Sequence, residues 1–520
     1  MMAATGNFAR LFDNFPEVEK ALECNVTGHL PRWLSGNLLR NGPGTFKIGD
    51  TEYNHWFDGL AYIQKYHFKD GKMFYSAKYL KSDAYKLNHA ANRIVVGEFG
   101  TAAFPDPCKN IFQRFFSFFE ERVLTDNGLV NFVQCGDRIF ATTETPRMNE
   151  VDVESLETKE KVVLSDYVAV NTATAHQHYD NEGNIYNVGS RFGRGGEYVF
   201  VRTENTAEDA FKNTSVIGSV TMSSSFYPSY YHSFGMSERF LIFFECPLRM
   251  NVLKILSAKL TGNPFLDSME WDSSLPVNIH LINRMTGEPF AVPIKSSAFF
   301  TFHHANAYEK DGHLIVDFCK VLDGRVVGEF NLKNMRSGEV QTKDENKRAK
   351  LHRMIIPLSL PTDKDDDKDI LEHCKFANSC KAYYKTDGCL WIEDTCLCEI
   401  PMELPRYNYS HNTKSYKYCY GSVLQNPDFT AIVKVNVDEK THLIWRNDNK
   451  QQMCGEPVFV ADPNGVDEDE GVILSPILSV SDEEQPFMLV LSAKDFSEVA
   501  RCHVPAPTLL AMGFHGHFVQ

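Results

Sequence analysis

Long apolar segments and the common local metal motifs are missing from this chain of 520 residues. No window of about 18 apolar residues occurs, which excludes a predicted membrane-spanning helix. The opening stretch MMAATGNFARLFDNF lacks the apolar core of a secretory signal, so we expect a cytoplasmic protein. Neither HExxH nor CxxC is present, and the thirteen cysteines are scattered. Their odd number indicates free thiols in a reducing compartment.

Positive charge is also in short supply. The formal net charge is -15, with 53 Lys and Arg against 68 Asp and Glu. An acidic chain is a poor general binder of nucleic acid, so we expect no nucleic-acid partner. The composition, 43% hydrophobic and 23% charged, is that of an ordinary globular protein.

Short strands make up most of what is present. Runs such as FLIFFE and TAIVKVNVD are separated by Gly, Asp and Asn, as in all-β proteins. A strand–turn–strand pattern recurs at irregular intervals, at 151–164, 280–293, 433–446 and 489–502. So many strands in a chain of this length favour a β-propeller over a sandwich. Two separate β domains remain the alternative.

Two segments interrupt the strands with helical spacing of apolar residues. One, at 108–123, places five apolar side chains on one face: Ile111, Phe112, Phe115, Phe116 and Phe119. The other, at 248–262, does the same with Val252, Leu253, Leu256 and Leu260. Such faces either pack onto the core or dip into a membrane surface.

Four groups of histidines lie beside apolar or small residues near predicted strand ends. They are His176 with His178, His232, His303 with His304, and His515 with His517. Taken singly, each is better explained as a core or rim histidine with satisfied hydrogen bonds. Taken together, their spread along the chain suggests convergence on a propeller axis, where neutral imidazoles would bind a metal such as Fe, Zn, Cu or Ni. Spacing alone does not say which member of a doublet would bind.

Carboxylates in apolar surroundings would be the partners of such imidazoles. Glu144 in ATTETP, Glu403 in MELPRYNY and Glu456 in CGEPVFV are flanked by strand-like residues rather than by other acids. A buried glutamate is costly without a partner. Each of the three is equally explained as an ordinary exposed glutamate at a sheet edge.

A series of ordered motifs resembles the carotenoid cleavage oxygenase family, in its animal branch of β-carotene oxygenases and the retinal pigment epithelium isomerase. They include LLRNGPG, YNHWFDG, GEFGT, PDPCKNIF, PSYYHSFG, FHHANAYEKDG, GEPVFV and GFHGHF. The resemblance covers nearly the whole chain. It implies one domain, 1–520, folded as a seven-bladed propeller with a helical or loop cap over one face, including insertions at 104–125 and 247–270.

The resemblance also implies the site and its chemistry. Its iron ligands match His176, His232, His303 and His515, and its outer glutamates match Glu144, Glu403 and Glu456. The cofactor would be Fe(2+), and the reaction would be cleavage of a conjugated double bond of a carotenoid or apocarotenoid by O2. No protein nucleophile is expected beyond the iron centre. Phe57, Phe302, Tyr230 and Tyr231 would line either a substrate tunnel or the core.

Departures from the family pattern occur beside the expected ligands. Pro146 replaces an Asn in TETP, and Gln177 replaces a Pro in AHQH. Neither is a ligand, but both put the shape of the substrate cavity, and hence the cleaved bond, in question.

The substrate would also require contact with a membrane or lipid droplet. The Phe-rich 108–123 face and the 248–262 face are the candidates for it, aided by lipid modification of Cys108, a family cysteine. Cleavage would be central, at the 15,15′ bond to give retinal, or off-centre, at 9′,10′ to give apocarotenals. The alternatives are a retinyl-ester isomerohydrolase that uses the same iron without O2, and a carotenoid-binding propeller with no turnover.

Overall fold

The computed structural model describes residues 8–105, 124–193, 195–206, 210–338, 344–361, 368–423, 431–449, 451–481 and 483–520. Strands dominate these residues. They form seven sheets of four to six strands and two small two-stranded sheets. The seven large sheets are the blades of a β-propeller, which confirms the predicted fold class.

The blades follow one another along the chain, and we number them from the one that joins the two chain ends. The strands of each blade, ordered across the sheet, are as follows. Blade 1 has Val18–Glu23, Lys72–Tyr79, Leu60–Lys69, Gly36–Arg40 and Gly516–Val519, with Pro43–Thr45 at its side. Blade 2 has Asn131–Cys135, Arg138–Thr142, Arg147–Val151 and Thr158–Val163. Blade 3 has Thr172–Ala173 and His178–Tyr179, then Ile185–Arg191, Glu197–Thr203 and Thr214–Thr221.

The remaining blades are built in the same way. Blade 4 has Gly235–Met236, Phe240–Glu245, Val277–Asn283, Ile294–Ser296, Leu390–Glu393 and Lys381–Tyr384. Blade 5 has His304–Lys310, His313–Lys320, Lys350–Pro357 and Thr395–Cys396. Blade 6 has Glu403–Arg406, Tyr418–Val423, Ala431–Asn436 and Thr441–Arg446. Blade 7 has Gln452–Cys454 and Val458–Ala461, then Gly471–Ser479, Phe487–Ser492, Glu498–His503 and Asn25–Gly28.

Burial changes from the middle of a blade to its rim. All six residues of the Phe240–Glu245 strand are buried, because this strand is covered on both faces. The rim strand Thr441–Arg446 is largely exposed. Continuous apolar runs such as FLIFFE are therefore middle strands, as expected for sheets packed on both faces.

The ring closes through its innermost strands and the chain ends. Strand Gly516–Val519 contacts Val458–Ala461 on one side and Asn131–Cys135 on the other, so blade 1 joins blades 7 and 2. Blade 1 itself pairs Gly516–Val519 with Gly36–Arg40, which ties the end of the chain to its beginning. This closure removes the exposed sheet edges that an open array would leave.

Helices are few and short. The α-helices of the described residues are Asp83–Ala91, Val252–Thr261 and Leu332–Ser337. The 3-10 turns are Phe8–Phe12, Trp56–Asp58, Leu164–Asp166, Phe265–Ser268, Gly324–Phe330, Glu345–Lys347 and Tyr409–His411. The two small sheets pair Lys47–Ile48 with Thr51–Glu52 and Leu248–Met250 with Met269–Trp271. Within the described ranges, none of the helices is long and apolar enough to cross a membrane.

The predicted helix at 248–262 begins later than its sequence pattern suggested. Leu248–Met250 is a strand, and the helix starts at Val252 after Asn251, whose side chain accepts a hydrogen bond from the Lys254 amide. Leu253 and Leu256 are exposed, as an outward apolar face requires. The predicted Phe-rich helix, with Cys108, Phe112, Phe115, Phe116 and Phe119, lies outside the described residues.

Candidate metal centre

Each of the seven blades contributes one His or Glu to a single cluster. His515, His303 and His232 come just before the innermost strands of blades 1, 5 and 4, and His176 lies between the two short strands of blade 3. The three glutamates come from the remaining blades. Glu403 opens the inner strand of blade 6, Glu456 lies between two strands of blade 7, and Glu144 lies in a turn of blade 2.

The four imidazoles meet at one point. One ring nitrogen from each of His176, His232, His303 and His515 lies within 4.8 Å of the others, and three of the four residues are buried. The Nε2 atoms of His176 and His232 are 2.9 Å apart, and those of His303 and His515 are 3.2 Å apart. The structure thus brings together the four predicted histidines, far apart in sequence, through their Nε2 atoms.

Three of the rings are oriented by the three predicted glutamates. Nδ1 of His232 lies 2.6 Å from Glu144 Oε1, and Nδ1 of His303 lies 2.6 Å from Glu403 Oε2. Nδ1 of His515 lies 2.8 Å from Glu456 Oε1. An ionised carboxylate only accepts hydrogen bonds, so each Nδ1 is the donor. Each ring therefore presents an unprotonated Nε2 to the centre.

This arrangement fits a metal cation between the rings. His303 and His515 both carry their hydrogen on Nδ1, so their Nε2 lone pairs face each other across 3.2 Å. Burial lowers the pKa of His515 to about 3, against the opposing effect of Glu456, so the ring does not protonate to relieve the repulsion. Burial and the neighbouring imidazoles also lower the pKa of His176 well below its ordinary value. Converging neutral imidazole donors fit a divalent transition metal.

The glutamates have different partners of their own. The Tyr230 hydroxyl donates to Glu144 Oε1 at 3.0 Å. The Leu404 amide donates to Glu403 Oε2 at 2.6 Å. Within the described part of the chain, Glu403 Oε1 is buried without a hydrogen-bond partner. The imidazoles are therefore main hydrogen-bond partners of both carboxylates, Glu144 and Glu403.

Glu456 lies in a denser network. Its Oε2 accepts from the Gly516 amide at 2.7 Å and from the Arg40 guanidinium at 3.1 Å. Arg406 lies 3.5 Å from Oε1. Burial raises the pKa of Glu456, but Arg406, His515 and Arg40 outweigh it and lower the pKa to about 2. Glu456 therefore stays ionised in a fully buried position.

Sequence reasoning missed the roles of Arg40 and Tyr230. Arg40 is 1% exposed and also donates to the carbonyls of Glu456 and Phe514, so it ties blade 7 to the segment that carries His515. The sequence feature that could have indicated Arg40 is the single arginine that follows two leucines in NLLRNG. Tyr230 was expected only as a lining residue, and nothing in PSYYHSFG shows that its hydroxyl contacts a glutamate.

The second histidine of each doublet points away from the cluster. His304 lies 2.9 Å from the Ser233 hydroxyl through Nδ1, and its ring packs against Phe244. His178 bonds the carbonyl of Phe234 at 2.9 Å, and His517 bonds Gln134 at 3.1 Å. His304 is buried, His178 and His517 are partly buried, and each has a hydrogen-bond partner outside the cluster. Adjacent residues of an extended chain point to opposite sides, which separates His304 from His303. The other two pairs are two residues apart, and there His176 and His515 lie outside the strands that hold His178 and His517.

A cavity of about 1260 Å³ opens onto the cluster. His232, His303 and His515 form part of its wall, and the four expected aromatic residues all line it: Phe57, Phe302, Tyr230 and Tyr231. Phe57 lies 5.5 Å from both Phe330 and Phe514, ring centre to ring centre. The cavity is large enough for a long molecule, and its lining, mostly apolar, favours an apolar one. Of the two departures, Pro146 lines this cavity, whereas Gln177 is not among its lining residues.

Comparisons with known proteins agree on one family. A family model described as retinal pigment epithelial membrane protein matches residues 11–520. The rat protein "Beta,beta-carotene 15,15'-dioxygenase" is 38% identical over 520 residues, covering 97% of this chain and 90% of the relative. The human protein "Carotenoid-cleaving dioxygenase, mitochondrial" is 39% identical over 531 residues, covering 98% of this chain and 90% of the relative.

Solved structures share the fold. A cobalt-substituted Synechocystis ACO superposes with a TM-score of 0.76 at 20% identity, covering 99% of this chain and 98% of that chain. A mutant of Synechocystis apocarotenoid oxygenase gives the same TM-score at 19% identity. At this level of identity, the likeness concerns the fold alone.

Proposed function

We propose, from the premise that this chain belongs to the retinal pigment epithelial membrane protein family, that it is a carotenoid oxygenase. It cleaves a conjugated carbon–carbon double bond of a carotenoid with O2 and releases aldehyde or ketone products. The relatives of both dioxygenase names match nearly its full length at 38–39% identity, which supports this reaction class. The single structural observation that carries the proposal is the pair of opposed Nε2 lone pairs, His303 and His515, at the wall of an apolar cavity.

We assign the metal ligands to His176, His232, His303 and His515, and the metal to Fe(2+). Four neutral donors leave the charge of the ion intact, and the three glutamates offset it from outside. A ferrous ion held by these four imidazoles would supply the one-electron and O2 chemistry that no side chain provides. Glu144, Glu403 and Glu456 hold the proton of each Nδ1, so that Nε2 remains a donor.

The rest of the machinery positions the substrate. Attack on a polyene needs no protein acid or base, so the cavity walls do the work by presenting one double bond to the centre and excluding water. Phe302 and Phe330, whose rings lie 6.1 Å apart, form such a wall beside His303. The choice between central cleavage to retinal and off-centre cleavage to apocarotenals depends on where these walls stop the polyene substrate, and hence on which of its double bonds lies at the centre.

Cleavage should depend on dioxygen. With β-carotene in detergent micelles, we expect aldehyde products in air and none under argon, with their masses giving the cleaved bond. Products from 18O2 should carry the label. Hydrolysis or isomerisation of a retinyl ester under argon would instead indicate the isomerohydrolase, and binding without turnover by iron-loaded protein would indicate a carrier. Either result would contradict the oxygenase.

We also propose that the cavity mouth meets a membrane or lipid droplet. The helix Val252–Thr261 borders the cavity, with Ile255 and Ala258 among the lining residues. On the same helix Leu253 is 62% exposed and Leu256 is 68% exposed. Exposed leucines beside a cavity for a water-insoluble substrate are typical of an interfacial helix. Acylation of Cys108 and the Phe-rich segment at 108–123 remain predictions, as does a cytoplasmic location.

Replacing both leucines tests the interface. Leu253→Asp with Leu256→Asp should reduce sedimentation with phosphatidylcholine vesicles by about tenfold or more, because each leucine contributes about 1.5 kcal/mol of apolar burial. Cleavage of β-carotene offered in vesicles should fall in parallel, while iron content stays unchanged. The matched control is Val466→Asp, since Val466 is 94% exposed and does not line the cavity. Equal vesicle binding by all three proteins would refute the interface.

A further inference from the structure

Glu98 is an acidic residue in the wall of the substrate cavity, within the GEFGT motif. It is 8% exposed, and its Oε1 accepts a hydrogen bond from the Thr125 hydroxyl at 2.7 Å. Among the described residues, it forms no ion pair, and its Oε2 has no hydrogen-bond partner. The metal centre makes no use of it, because the three glutamates that orient the imidazoles are Glu144, Glu403 and Glu456.

The neighbouring acids hold local structure. Asp58 accepts from the Gly100 amide at 2.7 Å and from the Thr101 hydroxyl at 2.6 Å, so it fixes the loop that carries Glu98. Asp126 accepts from the amides of Asp83 and Ala84, both at 2.9 Å, at the start of a helix. Neither Asp58 nor Asp126 is among the residues that line the cavity. Glu98 is the acid of this group that lines it.

The surroundings favour the neutral form of Glu98. Burial and the charges of Asp58 and Asp126 raise its pKa well above the ordinary value, with the Thr125 hydroxyl opposing. A protonated carboxyl offers one O–H donor and one acceptor. The Thr125 hydroxyl already satisfies the acceptor, so the O–H is the group that lacks a partner. A pure hydrocarbon offers it no acceptor, and a buried polar group without a partner is unfavourable. A ligand that carries an oxygen atom would provide the missing hydrogen-bond partner.

Resting on the proposed function, we propose that Glu98 is a specificity-determining residue for oxygenated polyenes. It would hydrogen-bond a hydroxyl or carbonyl oxygen on the substrate, and the cavity would therefore favour an oxygenated carotenoid over its hydrocarbon parent. The oxygen could lie on an end ring or at the terminus of an already shortened chain. Both sources present the same chemistry to the carboxyl group.

Equilibrium binding under argon tests this independently of catalysis. Binding would be followed by the quenching of protein fluorescence as each of three ligands is added. They are β-carotene, zeaxanthin, which adds a hydroxyl to each ring, and an apocarotenal, which has one terminal aldehyde. We expect wild-type protein to bind at least one oxygenated ligand about tenfold more tightly than β-carotene, the size of one well-made hydrogen bond. Zeaxanthin and the apocarotenal separate a ring oxygen from a chain-end oxygen.

Two variants separate hydrogen bonding from shape. Glu98→Leu should reduce the preference to about onefold, whereas Glu98→Gln, whose amide still donates and accepts, should retain most of it. If Glu98→Leu folds poorly, Thr125→Val removes the hydroxyl that holds the carboxyl and should weaken the preference in the same direction. In air, the ratio of kcat/KM for the two ligand classes should follow the binding ratio.

Several outcomes would overturn the inference. Equal affinity of wild-type protein for all three ligands is one. An equal loss of affinity for β-carotene and zeaxanthin in Glu98→Leu is another, because it would mark a purely structural residue. A binding preference without aldehyde products in air would leave the inference standing and sink the proposed oxygenase instead.

Discussion

Replacing His303 by alanine should abolish carotenoid cleavage and remove the bound metal, whereas replacing His304 should do neither. His303 presents Nε2 to the centre, 3.2 Å from that of His515, while its Nδ1 is held by Glu403. Losing an orienting outer partner already lowers metal affinity about 10–100-fold, so losing a ligand should cost more than about 100-fold. Metal content after anaerobic gel filtration and product formation from β-carotene are the measurements.

His304→Ala is the matched control, because it changes the same residue type one position along. Its ring packs 4.7 Å from Phe244, and the Ser233 hydroxyl loses a partner when the ring is removed. We therefore expect a loss of about 2–4 kcal/mol in the free energy of unfolding, seen as a lower melting temperature. Metal should still bind at one ion per chain. Metal loss in His304→Ala, or full metal binding in His303→Ala, would contradict the assignment.

The doublet also shows where prediction from sequence reached its limit. A pair of histidines in an apolar run indicates that at least one is special, but alternation alone does not fix which face of the strand meets the axis. The resemblance to a family chose His303. In the structure, the Ser233 hydroxyl and the Phe244 ring explain the other orientation of His304.

The fold was predictable to the extent that its contacts are local. Hairpins at 433–446 and 489–502 were predicted and pair as expected, since each turn joins adjacent strands. In the hairpin predicted at 151–164, the second strand is Thr158–Val163, but its partner is Arg147–Val151, so the first strand begins earlier than predicted. Blade 4 was not predictable in this way. Its strands Ile294–Ser296 and Leu390–Glu393 pair in parallel across almost 100 residues, and no local pattern announces such a pairing.

The glutamates were predicted more completely than their surroundings. An isolated Glu between apolar residues is a readable signal, since burial without a partner is costly. Which cation stabilises the buried carboxylate depends on contacts between residues that are far apart in the sequence. Arg40 lies 416 positions from Glu456 in the sequence, and only the closure of blade 1 against blade 7 brings them within 3.1 Å.

The contact between Arg40 and Glu456 predicts that replacing Glu456 or Glu403 will weaken metal binding alike but will change the stability of the fold by different amounts. Glu456→Gln and Glu403→Gln each remove the negative charge that holds the Nδ1 hydrogen, even where the amide oxygen still accepts that hydrogen bond. The imidazole then becomes a weaker donor to a metal. Metal affinity should fall about 10–100-fold in both variants, measured by competition with a chelator.

Only Glu456→Gln should also destabilise the fold strongly. It leaves the guanidinium of Arg40, 1% exposed, without its carboxylate, and an uncompensated buried charge costs about 3–5 kcal/mol. Glu403 has no buried arginine among its described hydrogen-bond partners, so Glu403→Gln should cost much less in denaturant unfolding of the metal-free proteins. The double variant Arg40→Met with Glu456→Gln removes the unpaired charge and should recover much of the stability without recovering metal affinity. Equal unfolding free energies for the two single variants would show that Arg40 does not depend on Glu456, and the link between blade 1 and the metal centre would then rest on the backbone alone.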